Sequence, residues 1–71
     1  MIANRKFIQQ VVMEFNALTP AELAAKLEPI PTCNLVVTRD AARNFAGTVI
    51  LQKDADMIAA AVTVEIDRRW A

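Results

Sequence analysis

Six residues, Leu18-Thr19-Pro20-Ala21-Glu22-Leu23, constrain the fold of this chain more than any other stretch. Thr19 is a strong helix N-cap, because its hydroxyl accepts a hydrogen bond from a first-turn N–H that has no partner inside the helix. Pro20 falls at the first helical position, where a missing N–H costs nothing and the fixed φ is already helical. Glu22 reaches back to the Thr19 N–H and completes a capping box, while Leu18 and Leu23 stand at the staple positions on either side. One helix therefore ends before Leu18 and another begins at Pro20.

Upstream, Phe7, Ile8, Val11, Phe15 and Leu18 recur at helical spacing. They share a sector about 100° wide, so residues 4–17 read as an amphipathic helix. Met13 points away from that sector and is a candidate contact for a partner. Downstream, the second helix runs from Pro20 to Leu27, with Lys26 favourably placed in its last turn. Pro29 disfavours helical geometry at Glu28, and Pro29-Ile30-Pro31 reads as an extended connector.

The second half is harder to read. Asn34–Thr38 and Thr48–Gln52 are short and β-branched, as strands are. Between them, Arg39–Ala46 has room for one or two helical turns, capped by Thr38 and closed by Gly47, the sole glycine. So short a connection disfavours a parallel crossover, so the two strands are expected as antiparallel neighbours. From Asp54 to Trp70 two patterns compete. The acidic start, the arginines at the end and the run Ala59-Ala60-Ala61 favour a helix; Val62-Thr63-Val64-Glu65-Ile66-Asp67 alternates as a half-buried strand does. The helix is the preferred reading and a third strand the alternative. The expected architecture is thus a small α+β domain over residues 1–71: two N-terminal helices, a short antiparallel β pair and a C-terminal helix.

The apolar content decides what such a domain needs. Hydrophobic residues make up 55% of 71 residues, and only thirteen of them are alanines, leaving 26 larger side chains. A domain this small buries only about 60% of the surface its unfolded chain exposes. Large uncovered apolar patches are rare on soluble monomers, so a homodimer is expected. Met57, Ala61 and Val64 lie on a side of the C-terminal helix distinct from the ridge Ile58, Val62, Ile66 and Trp70. With Met13 they form the expected dimer interface.

Catalysis has few parts to draw on. Histidine and tyrosine are absent and Cys33 stands alone, which removes the commonest general base, thiolate–imidazole chemistry and structural zinc. One glycine excludes phosphate-binding loops and dinucleotide fingerprints. Asp54 with Asp56, and Glu65 with Asp67, are better explained by helix capping and solvation, since residues two apart do not share a helix face. No enzyme, metal or cofactor is expected. The lone cysteine is read as a small buried hydrophobe in an intracellular protein. No stretch is long enough to span a membrane and no signal-peptide core is present, so a cytoplasmic location is expected.

Thr19–Leu27 resembles the first helix of a helix-turn-helix, with its small residues in the middle. That resemblance implies a short turn and then a recognition helix rich in Arg, Lys, Asn, Gln or Ser. The chain departs from it with Glu28-Pro29-Ile30-Pro31 and a β-branched run. A DNA-binding regulator with a degenerate helix-turn-helix over residues 19–45, using Arg39 and Arg43 on phosphates, is the alternative reading. The zero net charge, from eight cations and eight anions, argues against a nucleic-acid partner.

The leading reading is a small non-enzymatic regulatory protein that acts by binding protein as a homodimer. Trp and Arg dominate interface hot spots, so Arg39, Arg43, Arg68, Arg69 and Trp70 are the candidate partner-binding residues. A motif-free chain of this size also suits a phage- or plasmid-encoded inhibitor of a host protein.

Overall fold

The computed structural model describes residues 4–70, which form four helices and no sheet. In chain order these are α1 (Arg5–Ala17), α2 (Pro20–Leu27), α3 (Thr32–Phe45) and α4 (Gln52–Trp70). The expected α+β domain is therefore corrected to an all-α one.

The N-terminal half follows its local signals. Asn4 caps α1, its side-chain oxygen accepting from the Phe7 N–H at 2.9 Å. Ile8, Val11 and Phe15 form the buried stripe of α1. The capping box closes as its residue types dictate: Glu22 N–H donates to Thr19 Oγ1 at 3.2 Å, and Thr19 N–H donates to Glu22 Oε1 at 3.0 Å. α2 ends at Leu27, although Glu28 keeps right-handed helical angles. The connector is a turn rather than an extended segment, because the Ile30 N–H bonds back to the Leu27 carbonyl at 3.1 Å.

Asn34–Thr38, expected as a strand, is the first part of α3. Val36, Val37 and Thr38 each cost a helix no more than ~0.7 kcal/mol relative to Ala. Burying Leu35 alone returns about 1.5–3 kcal/mol, and Leu35 is 1% exposed. Leu35, Thr38, Ala41, Ala42 and Phe45 are spaced as a helical stripe. The Thr38 hydroxyl donates to the Asn34 carbonyl one turn back, at 2.8 Å, so its burial leaves no polar group unpaired. With the first strand gone, Thr48–Gln52 has nothing to pair with, and an isolated strand is not stable. Residues 46–51 instead form a tight turn. The Phe45 carbonyl accepts from the N–H groups of Thr48, Val49 and Ile50, and the Gly47 N–H donates to the Ile50 carbonyl at 2.8 Å.

This turn makes α3 and α4 an antiparallel hairpin, the most extensive helix–helix contact in the fold. Ala41, Ala42 and Ala55 are buried between the helices, where their small side chains let the backbones approach. Ile58 and Val62 of α4 are fully buried. The strand alternative for residues 62–67 is overturned by the same packing. Val62 and Ile66 belong to the i+4 ridge that faces the core, and Val64 stays outside. α1 lies against both helices of the hairpin and α2 against α4.

Gly47 has φ +77°, the left-handed region anticipated for it, one residue beyond the helix cap Ala46. A Cβ placed there would touch nothing within 4 Å, so a side chain meets backbone strain and no clash. Gly47→Ala is expected to lower unfolding stability by ~1 kcal/mol and Tm by ~4–8 °C in thermal circular dichroism, with the helical spectrum unchanged.

Candidate functional site

Two features stand out, one where α2, α3 and α4 converge and one between α1, the 28–31 connector and α3. The first is a polar staple. Arg69, near the end of α4, donates from Nε to Glu65 Oε2 at 2.8 Å and from Nη1 to Thr32 Oγ1 at 2.9 Å. Its Nη2 donates to the carbonyls of Leu27 and Glu28, both at 3.0 Å. Those carbonyls belong to the end of α2, where helical partners run out. The planar guanidinium suits this task, because its fork reaches several acceptors at once. Glu65 is 6% exposed and also accepts from Arg68, at 2.6 Å and 3.2 Å. Hydrogen bonds from Arg68 and then Arg69 hold its carboxyl below the usual carboxylate range, against the opposing effect of burial. Glu65 in turn raises the Arg68 guanidinium.

The second is an apolar groove of about 410 Å³ between α1, the connector and α3. Phe7, Val11 and Phe15 line one wall, and Pro29, Ile30 and Pro31 the other. Leu27 and Leu35 lie along it, with Asn34 and Thr38 as its polar groups. Glu14 and Lys26 sit on the rim, paired at 3.3 Å and each about two-fifths exposed. A hydrogen bond from Gln10, and secondarily Lys26, lowers the Glu14 carboxyl. The lining is mostly apolar and suits an apolar group.

The expected partner-binding residues do not come together. Arg69 is held inside the fold, and Arg68 is exposed but paired with Glu65. Arg39 is partly buried, its Nε shielded without a hydrogen-bond partner and 3.7 Å from Asp40. Arg43 is exposed on α3, and Trp70 is 78% exposed at the end of α4. The expected dimer set also divides. Ala61 and Val64 line a shallow depression with Pro20, Leu23 and Ala24 of α2. Met13 lies in another, beside Val49 and Leu51, and Met57 is packed against the core. Cys33 is exposed rather than buried.

Sequence reasoning missed the groove and the staple. Phe7, Phe15 and Leu35 looked like ordinary core positions, and only the closely spaced Pro29 and Pro31 hinted that the connector could stand off as a wall. Glu65 was read as solvated although Arg68 and Arg69 follow it at the i+3 and i+4 spacing of helical ion pairs; it is the reach of Arg69 to Leu27, Glu28 and Thr32 that lies across the fold. The helix after the turn, which the helix-turn-helix resemblance requires, does form. Its exposed side, however, carries Asp40 beside Arg43, and α2 rests on α4 more than on α3. Among the described residues, no helix is long and apolar enough to cross a membrane, and no group of three or more His, Cys, Asp or Glu could hold a metal ion.

No protein-family model matches the chain, and neither does any curated protein or solved structure. Nothing in the described structure carries the expected phage or plasmid origin.

Two predictions come from the staple. Arg69→Met removes the donor to the Glu28 carbonyl and one donor each from Glu65, Thr32 and the Leu27 carbonyl, and is expected to cost ~2 kcal/mol or more, read as a Tm loss of at least ~8 °C. Arg68→Ala removes a mostly exposed guanidinium and leaves buried Glu65 still paired with Arg69, so it is expected to move Tm by no more than ~3 °C. The second concerns pH. Glu14, Glu22 and Glu65 all have carboxyls below their ordinary value in the fold. The stability they supply is complete above the unfolded-state value of about 4.3 and is lost as pH falls through the lower folded values. With no histidine in the chain, Tm is expected to stay level from about pH 5.5 to 7 and to fall below about pH 4.5. A thermal-melt series across pH checks both limbs.

Proposed function

We propose that this chain is a non-enzymatic regulatory domain that acts by binding protein and does so as a homodimer. The observation that supports this most is the distribution of apolar surface. The fold closes a core around Ile8, Leu35, Ile58 and Val62, yet Met13, Leu51, Val64 and Trp70 remain 60–78% exposed. They belong to separate surfaces: one beside α1 and the 46–51 turn, one between α2 and α4, and one at the end of α4. Where such side chains line apolar depressions, as Met13 and Leu51 do with Val12 and Val49, and Val64 does with Leu23 and Ala61, they suit contact with other polypeptides. Apolar grooves bounded by helices are also the usual receptors for apolar segments of partners.

The DNA-binding alternative gains a second helix from the structure but no basic face. Arg43 is the one freely exposed arginine of α3, and Asp40 stands beside it.

Light scattering coupled to size exclusion tests the dimer. The expected mass at ~200 μM is twice the 7.8 kDa of the chain, with dissociation on dilution. A mass of 7.8 kDa throughout overturns the reading.

A further inference from the structure

We propose that α2 is a strap that lifts and melts as a unit while α1 and the α3–α4 hairpin stay folded, with Arg69 as its clasp. The motion belongs to a single copy and needs no dimer. The helices are buried unequally. α1 sinks Ile8, Val11 and Phe15 into the core and α4 sinks five residues, whereas α2 buries Leu27 alone. Leu23 is half-buried, and the other six residues of α2 are exposed. A segment with few buried apolar contacts opens at a lower free energy than the domain as a whole. The remaining fastenings of α2 are polar. Lys26 reaches Glu14 of α1 at 3.3 Å, an exposed pair that contributes little. Arg69 Nη2 donates to the Leu27 and Glu28 carbonyls, both at 3.0 Å. Glu65 holds Arg69 from within α4, so the fork stays poised when α2 leaves and receives it on return.

The chain on either side permits the motion. A helix rises about 1.5 Å per residue and an extended chain about 3.3–3.6 Å. Melting therefore more than doubles the span that the eight residues of α2 can bridge, and the ends of α1 and α3 need not move. A helix of this length does not persist without packing, so lifting and melting are one event. The surface changes with it. Leu27 lines both the groove between α1, the connector and α3 and the depression between α2 and α4. Once Leu27 withdraws, hollows of about 410 and 210 Å³ join into one apolar bed, from Phe15 and Leu35 to Ala61 and Val64. The strap thus governs how much apolar surface the domain presents.

Amide hydrogen exchange followed by NMR tests the strap. The N–H groups of residues 23–28 bond back within α2 and to its cap, and they report its opening. Those of Ile58 and Val62, at the centre of the core, report the hairpin. In the wild type the α2 amides are expected to share one opening and to be at least about tenfold less protected than Ile58 and Val62. Gly47→Ala disturbs the hairpin turn, which α2 leaves intact as it lifts. It is expected to speed exchange at Ile58 and Val62 about fivefold and to leave α2 unchanged. Arg69→Met is expected to speed exchange in α2 at least about tenfold. Arg69→Lys, which keeps the charge but loses the fork, speeds it about threefold or more. Arg68→Ala leaves both carbonyl bonds in place and changes it by less than about threefold. Equal protection of α2 and the hairpin, or equal acceleration of both by Gly47→Ala, means that α2 opens only with the whole domain and overturns the proposal. An α2 that opens alone but exchanges no faster in Arg69→Lys overturns the clasp.

Discussion

The guanidinium of Arg69 holds together what the rest of the chain has arranged separately. It joins α4 to the end of α2 and the start of α3 through three acceptors, up to 42 residues away, while Glu65 of α4 itself accepts a fourth bond. Carbonyls at a helix end must find donors outside the helix; here a charged fork meets that of Glu28 and adds a second donor to that of Leu27, which also accepts from the Ile30 N–H, and the fork's own counter-ion, Glu65, is buried beside it. Either partner alone would be costly to shelter from water; together they satisfy one another. The position of the connector, and with it one wall of the groove, follows from this pair.

The opposite end of α4 is fastened more lightly. The Asn16 side chain, at the close of α1, approaches Asp54 at 3.5 Å, and apolar packing does the remainder. α4 thus acts as a spine, with the first helix leaning on it at one end and the second tied to it at the other. The surfaces left uncovered lie along its flanks and at its tip.

How much of this was legible in the sequence depended on where the deciding interaction lay. The capping box around Thr19 and the helical face of Phe7–Phe15 are local, and both were read correctly. Gly47 was placed in a left-handed turn for the same reason. Asn34–Thr38 was misread because β-branched side chains express only a weak local preference. The forces that overrode it, burial of Leu35 and the close approach allowed by Ala41 and Ala42, come from α4. The groove and the staple were least legible. Each is made by residues from three different helices or their connectors; spacing records the Glu65–Arg69 pair within α4 but not the reach of Arg69 to α2 and α3.

The order in which the helices leave the ribosome adds a consequence of this arrangement. α1 and α2 are synthesised before the surfaces that cover them, which belong to α3 and α4, and the fork that ties α2 down stands at the end of α4. The α3–α4 hairpin is closed by a short turn, and contacts between near neighbours in sequence form quickly. The early half must therefore wait, apolar stripe uncovered, until the late half has assembled and can receive it. During that interval the nascent chain offers chaperones and aggregation the same side chains that later become its interior.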